Sequence, residues 1–233
     1  MGAQWKQKGK IESAAAKSKA FNKVTKELVI AARAGADPTM NPRLRMAIDA
    51  AKKVSMPRDN MERAIKRGAG LLDEPANFET VTYEGFAPHR VPVIVECLTD
   101  NKNRTATSVR VLFRKGQLGN SGSVSWDFRH LGMITATPEE GAGDAEEAAI
   151  EAGAQEVESG DEGATLFLTE PGDLDAVSRA LAAQKWNVSS AVLGWKAKNP
   201  VKVEDEAARA EVEAFLHALD EDDDVQHLYV GME

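Results

Sequence analysis

The sequence predicts an α+β fold, with an N-terminal helical bundle followed by two ferredoxin-like α/β-sandwich domains, one inserted in the other. Apolar residues recur at helical spacing through the first 70 residues, and the period shortens to two from about residue 78. Residues 131–199 give the order β-α-β-β-α-β, which is the ferredoxin-like arrangement. The C-terminal helix and strand cannot form a core alone, but they supply the α-β that the preceding β-β-α-β segment lacks. The expected domains are 1–76, 77–130 with 200–233, and 131–199.

Three helices form the predicted bundle. The first runs from about residue 14 to residue 34, and lysines opposite its apolar side are expected to present a row of cations. Its apolar stripe consists of Phe21, Val24, Leu28 and Ala31. The second helix begins after Asn41 as the N-cap, with Pro42 at its first position. The third begins near Pro57, and Gly68 is positioned to cap its C-terminus.

The β-rich part begins with the strands "ETVTYEGF", "VPVIVECL" and "SVSWDF", and a helix in "RTATSVRVLFRK" lies between the last two. Val124, Trp126 and Phe128 alternate in the third strand, so they are expected on one face of it. Cys97 is the only cysteine, which excludes an intrachain disulfide. Its position on an apolar strand face favours a buried thiol.

No enzymatic motif is found in the sequence. It has no phosphate-binding loop, dinucleotide fingerprint, zinc-protease motif or nucleophile elbow, and the four histidines fall in different predicted elements. We therefore expect a non-enzymatic protein with no catalytic residues, metal, cofactor or small-molecule substrate. No apolar run approaches the ~20 residues that span a bilayer, so we expect a cytoplasmic protein without a membrane partner.

The distribution of charge points to a polyanion. Residues 1–70 contain 16 Lys and Arg against 6 Asp and Glu, whereas the whole chain has a net charge of -8. Solubility requires only mixed signs, so a basic surplus of this size favours nucleic-acid binding over a merely soluble surface. The candidate residues in this part are Lys6, Lys8, Lys10, Lys19, Lys23, Lys26, Arg33, Arg43, Arg45, Lys52, Lys53, Arg58, Lys66 and Arg67.

Aromatic content favours a duplex or a folded RNA as the target of this basic part. Trp5 and Phe21 are the only aromatic residues in the first 70 residues, and Phe21 belongs to the apolar stripe of the first helix. A platform for stacking single-stranded bases is therefore poorly supplied there.

A second basic constellation lies in "TDNKNRTATSVRVLFRKGQLGNSGSV", where a strand-to-helix loop could favour anions. Its candidate residues are Asn101, Asn103, Arg104, Arg110, Arg114 and Lys115. The alternative is purely structural, because Asn and Thr cap helices and glycines form turns. The acidic run "DEDDD" at 220–224 is expected to be a solvated turn, with a deliberate repulsive element as the alternative.

Four segments closely resemble the YebC/PmpR family, whose mitochondrial relatives are translational activators of a cytochrome oxidase subunit. They are "NPRLRMAIDAAKKVSMPRDNMERAIKRG", "VTYEGF", "TDNKNRTATSVRVLFRKGQLGNSGSVSW" and "ALDEDDDVQHLYV". The resemblance covers nearly the whole chain. It implies three domains and no cofactor or catalytic residue. It also implies either DNA-binding transcriptional regulation or ribosome-associated help with difficult stretches such as consecutive prolines.

Two departures from the family pattern are visible. The usual opening resembles G-H-S-K-W, whereas Gly2, Ala3 and Gln4 precede Trp5 here. The glycine-rich turn after "YEGF" is replaced by residues 87–90, "APHR". Contacts that family members make with these segments are not expected to carry over.

These observations lead to one leading functional hypothesis and two alternatives. The leading hypothesis is a DNA-binding transcriptional regulator that uses the basic helical domain, with help from residues 104–115. The first alternative is a ribosome-bound translation factor contacting ribosomal RNA and tRNA, since the acidic remainder would be repelled along bare DNA within a Debye length of ~8 Å. The second is a pure protein–protein adaptor, in which the basic face is incidental.

Overall fold

The computed structural model describes residues 14–73, 77–160 and 163–233, and the side chains from residue 18 onward. Within these ranges, the chain forms α-helices and two four-stranded antiparallel sheets, which confirms the predicted α+β class. The described residues form two compact units, one comprising Phe128–Lys198 and the other comprising residues 14–127 with Asn199–Glu233. The helical bundle and the first sheet therefore share one unit, while the division into three domains stays a prediction.

In the bundle, α2 and α3 both pack against α1. The helices are α1 Ala14–Ala32, α2 Pro42–Lys53 and α3 Arg58–Gly68. Asn41 caps α2 as predicted, because its side chain accepts a hydrogen bond from the Leu44 N–H at 3.1 Å. The same amide donates to the carbonyls of Ala31 and Gly35, both at 2.7 Å. One buried side chain therefore starts α2 and anchors it to the end of α1.

The role predicted for Gly68 is wrong, since it is the last residue of α3 and not its C-cap. A Cβ atom at this position would lie 2.2 Å from the carbonyl oxygen of Val29 in α1. Glycine is therefore needed for the close approach of the two helices.

The first sheet has the strand order β3-β1-β2-β8, and α4 and α7 pack on it. Its elements are β1 Glu79–Phe86, β2 Pro92–Thr99, α4 Lys102–Leu112, β3 Gln117–Leu118, α7 Glu206–Asp220 and β8 Val225–Val230. Phe113 and Phe215 meet edge to face between the helices, with ring centroids 5.2 Å apart. Cys97 is fully buried in this core, and burial raises the pKa of its thiol to about 12, as expected of an unreactive cysteine.

The predicted strand "SVSWDF" is wrong. Ser125–Asp127 forms a 3₁₀ turn, and the third strand is the two-residue β3, Gln117–Leu118, in the glycine-containing stretch before it. Three backbone N–H groups between Gly122 and Ser125 bind the Glu84 side chain, so they cannot join a strand ladder. As a result Val124 and Phe128 are buried, whereas Trp126 is 69% exposed.

The second unit has the strand order β5-β6-β4-β7, which is the ferredoxin-like order, with α5 and α6 accompanying the strands. Its elements are β4 Phe128–Pro138, α5 Ala145–Ala152, β5 Glu156–Ser159, β6 Thr165–Thr169, α6 Leu174–Ala183 and β7 Trp186–Ala197. The core contains Phe167 and Trp186, whose rings meet edge to face at 5.1 Å. The element order is the one that the sequence predicts for this segment.

The turn between β1 and β2 contains two strained residues, because His89 and Arg90 both have φ of 60°. Replacing Arg90 by glycine is expected to stabilise this unit by about 0.5–1 kcal/mol. The left-handed conformation costs a non-glycine residue ~1–2 kcal/mol, and this cost is relieved, whereas the greater chain entropy of glycine in the unfolded state costs ~0.5–1 kcal/mol. The measurement is urea unfolding. Arg90→Ala is the control, because it removes the same side chain and keeps the strain. Equal stability of the two variants would contradict the prediction.

Candidate nucleic-acid interface

The lysines of α1 whose side chains the structure describes do not form the solvent-facing row of cations predicted from the sequence. Three of them point at residues 220–224, which we call the acidic turn. The pairs are Lys19 with Glu221 at 3.1 Å, Lys23 with Asp220 at 2.9 Å, and Lys26 with Asp224 at 3.1 Å. The expectation of a solvated acidic turn is also wrong, because this turn holds α1 against the end of α7.

Lys26 donates hydrogen bonds to three acceptors. Its ammonium donates to the Asp224 carboxylate, to the carbonyl of Leu98 at 3.1 Å and to the carbonyl of Asp223 at 2.7 Å. An ammonium has three N–H donors, and all three are used. Lys26 therefore joins α1 to the first sheet and is not available to phosphate.

The Asp224 carboxylate is only 9% exposed and lies at the centre of this contact. Besides Lys26 it accepts hydrogen bonds from Arg104 at 2.9 Å and from the Thr105 hydroxyl at 2.8 Å. Burial alone would raise the pKa of Asp224, but the hydrogen bonds from Arg104, Thr105 and Lys26 outweigh it and lower that pKa. The carboxylate is therefore held in its charged form.

Two candidates at the start of α4 have structural roles. Asn101 is the N-cap of α4, accepting from the Arg104 N–H at 3.1 Å. Arg104 pairs with both Asp224 and Asp100. The structural alternative considered for this segment therefore describes these two residues, while Asn103 is exposed.

The cations of α2 and α3 form a second region, in which residues 42–68 contain eight Lys and Arg against three Asp and Glu. The exposed ones, which we call the bundle surface, are Arg43, Lys52, Lys53, Arg58, Arg63 and Lys66. Several pair with nearby acids on the surface, such as Lys52 with Asp49 at 2.9 Å. Such exposed pairs contribute only ~0–1 kcal/mol, so a phosphate can displace the acid.

The other candidates in this part of the chain are placed differently. Arg45 is half-buried and donates to the Pro38 carbonyl at 3.0 Å. Arg67 is half-buried over the Phe78 ring, 5.6 Å from its centroid. Arg33 is exposed at the C-terminal end of α1. Lys6, Lys8 and Lys10 lie outside the described residues.

The exposed side of α4 carries a line of polar and basic residues, which we call the α4 stripe. It consists of Asn103, Thr107, Arg110 and Arg114, continued by Lys115. The opposite side buries Thr105 and Val109 in the core. In the part of the chain that the structure describes, no ion pair joins Arg110, Arg114 or Lys115 to a carboxylate.

After β3, residues 119–126 form a loop held by Glu84, which we call the Glu84 loop. The carboxylate accepts the N–H groups of Gly122 at 2.8 Å, Val124 at 2.9 Å and Ser125 at 2.8 Å. Burial would raise the pKa of Glu84, but these hydrogen bonds outweigh it and lower that pKa. The sequence indicated only that glycines form turns here, and the role of Glu84 was missed because backbone donors cannot be recognised from a sequence.

Across the described ranges, no group of three or more His, Cys, Asp or Glu is arranged to hold a metal ion. None of the helices described there combines the length and the hydrophobicity needed to cross a bilayer.

Comparison with known proteins places this architecture in a family. The family model of the TACO1/YebC N-terminal domain matches residues 1–71 of this chain, and the family model of the TACO1/YebC second and third domain matches residues 78–232. A protein of Pseudomonas syringae pv. tomato named "Probable transcriptional regulatory protein" is 63% identical over 232 residues, covering 100% of this chain and 99% of its own. A protein of Polaromonas with the same name is 60% identical, with coverage of 100% and 99%.

A solved structure is also similar to this chain in sequence and fold. The crystal structure of a conserved hypothetical protein from Aquifex aeolicus is 42% identical and superposes with a TM-score of 0.85, covering 94% of this chain and 91% of that one. Both family models and full-length relatives at this identity agree with the shared fold. The chain therefore belongs to the TACO1/YebC family.

Proposed function

We propose that this protein is a cytoplasmic, DNA-binding transcriptional regulator that contacts the phosphate backbone through the α4 stripe and the bundle surface. The observation that carries the proposal is the α4 stripe. Arg110, Arg114 and Lys115 are exposed, and no ion pair with a carboxylate occupies them among the described residues. The names of the Pseudomonas and Polaromonas relatives support regulation of transcription.

The distribution of charge between the two units supports binding through the unit that contains the helical bundle and the first sheet. Residues 128–198 contain 13 Asp and Glu against 5 Lys and Arg, so that segment repels a polyanion. The α4 stripe and the bundle surface both belong to the other unit. We therefore assign DNA contact to that unit, and we leave Lys19, Lys23, Lys26, Asn101 and Arg104 out of the contact set because the fold uses them.

The test is the affinity of the full chain for a labelled duplex, measured by fluorescence anisotropy over a series of salt concentrations. Reversing Arg110, Arg114 and Lys115 to Glu is expected to weaken binding about 30-fold at physiological salt. It should also reduce the slope of log affinity against log salt by about 3, because each lost phosphate contact removes ~0.9.

The control changes the net charge by the same amount in the other unit. It reverses Arg179, Lys185 and Lys198 to Glu, and the affinity is expected to change less than threefold. Equal losses in the two triple variants would overturn the proposal. Tighter binding of a folded ribosomal RNA fragment than of the duplex would overturn it in favour of a translation factor.

A further inference from the structure

The acidic turn lies between α1 and the start of the α4 stripe. Asp224 accepts hydrogen bonds from Lys26 of α1 at 3.1 Å and from Arg104 of α4 at 2.9 Å. Arg104 directly follows Asn103, the first residue of the α4 stripe. A polyanion that is bound along the stripe as far as Asn103 therefore comes close to the acidic turn.

The position of the acidic turn is also fixed from the side of α4. The Thr105 hydroxyl donates to Asp224 at 2.8 Å, and the Ser108 hydroxyl donates to Asp222. The Asp222 carboxylate accepts the Asp224 N–H at 2.9 Å as well. Because these bonds do not involve α1, the turn keeps its position when a single contact with α1 is lost.

The ion pairs between α1 and the acidic turn differ in their exposure to solvent. The pair of Lys26 with Asp224 is buried, whereas in the pair of Lys19 with Glu221 the lysine side chain is 18% exposed and the glutamate side chain 62%. The two lysines are seven residues apart, which is roughly 10 Å along the helix axis. Solvent therefore reaches the outer pair from the side of its carboxylate, away from the buried pair.

The outer pair has the properties of a contact that a phosphate can replace. An exposed ion pair shifts an equilibrium by no more than roughly fivefold. A lysine ammonium is a compact charge on a flexible stem, so it can turn from a carboxylate to a phosphate without movement of the backbone. A phosphate can therefore displace Glu221 from Lys19 while the buried pair stays intact.

We propose that the acidic turn is autoinhibitory, with Glu221 occupying Lys19 in competition with the phosphate of a nucleic acid. While the pair is closed, Lys19 contributes little to binding, because its charge is already neutralised. When a nucleic acid on the α4 stripe displaces Glu221, Lys19 becomes a further phosphate contact. This inference rests on the proposed function, since it needs the α4 stripe to bring phosphate to the turn.

The experiment measures the affinity of the full chain for a fully paired duplex by fluorescence anisotropy over a series of salt concentrations. Glu221→Gln is expected to bind about threefold more tightly than the wild type. It should also steepen the slope of log affinity against log salt by about 0.9, because one more cation contacts phosphate. The control is Glu204→Gln, which removes the same charge from an exposed pair with Lys202 in the same unit. Its affinity should change less than about 1.5-fold.

A double-mutant cycle with Lys19 separates a released cation from a general change in charge. Lys19→Gln alone should change the affinity less than about 1.5-fold, because Glu221 already neutralises this cation. In the Glu221→Gln background, the same replacement should remove both the gain in affinity and the steeper slope. The double variant has the net charge of the wild type, so only the pairing of these two residues differs.

The outcomes distinguish this inference from the function on which it rests. If neither the wild type nor Glu221→Gln binds the duplex, the proposed function fails, and the autoinhibitory role fails with it. If both bind with the same affinity and salt slope, or if the gain persists without Lys19, the function stands and the autoinhibitory role is overturned. An equal gain from Glu204→Gln would also overturn it, because the loss of any negative charge in the unit would then be sufficient.

Discussion

Replacing Asp224 by alanine is expected to destabilise the unit that contains the bundle and the first sheet by about 3–4 kcal/mol. The change leaves the Lys26 ammonium, whose side chain is 14% exposed, without the one carboxylate that it contacts in the part of the chain that the structure describes. Arg104 and the Thr105 hydroxyl lose an acceptor at the same time. The measurement is the free energy of urea unfolding, with hydrogen exchange of α1 and β2 amides to localise the loss.

The acidic turn itself offers the matched control for this prediction. Glu221 pairs with Lys19, but its side chain is 62% exposed. Exposed pairs contribute ~0–1 kcal/mol, so Glu221→Ala is expected to change stability by less than 1 kcal/mol. Similar losses from the two alanine variants would show that the buried position of Asp224 has no special role.

The dependence of the Asp224 effect on pH supplies a second readout. The pKa of this carboxyl is lowered in the folded protein from its ordinary value of 3.8, because its hydrogen bonds outweigh the effect of burial. Its stabilisation is therefore complete above that ordinary value and is lost as the pH falls through the lowered pKa. The stability difference between wild type and Asp224→Asn should be constant between neutral pH and about pH 5 and shrink in stronger acid.

The contact between Lys26 and Asp224 also explains why the predicted cation row was wrong. A helical repeat identifies which side of α1 is apolar, but it does not show whether the other side meets water or another element. The partner of Lys26 is 198 residues away along the chain. Part of the charge asymmetry in the sequence therefore has a structural cause, because the basic helix and the acidic turn neutralise each other.

Local features were predictable where the chain meets only its own neighbours. Asn41 binds an N–H group three residues further on, and the sequence therefore identifies the start of α2 correctly. Asn101 does the same at the start of α4, where capping was only the alternative to anion binding. Gly68 and Glu84 act on residues 38–41 positions away, such as Val29 and Ser125. Their types suggested a C-cap and an ordinary strand residue, and only the packed chain shows otherwise.

The candidate site likewise contains residues that the sequence predicted and one feature that it did not. Arg110, Arg114 and Lys115 were predicted from their spacing on α4, and the structure leaves them exposed. The exposure of Trp126 was missed because its alternation with Val124 and Phe128 suggested a strand. That alternation describes the burial of Val124 and Phe128 correctly, but the backbone between them is bound by Glu84.

Replacing Glu84 by alanine is expected to have the second largest effect, a destabilisation of about 3 kcal/mol. Glu84 is 7% exposed as a residue, and removal of its carboxylate leaves three N–H groups without an acceptor, at ~1–3 kcal/mol for each that stays buried. The loop can open and let water reach some of them, so the total stays near the lower end. Hydrogen exchange at Gly122, Val124 and Ser125 measures the release, and it should accelerate strongly.

Glu84→Gln separates the acceptor from the space that the side chain fills. Glutamine keeps one oxygen acceptor, so it should retain the bonds to Val124 and Ser125 better than alanine does and lose about half as much stability. Unchanged exchange at the three amides would show that the loop is held by something other than Glu84.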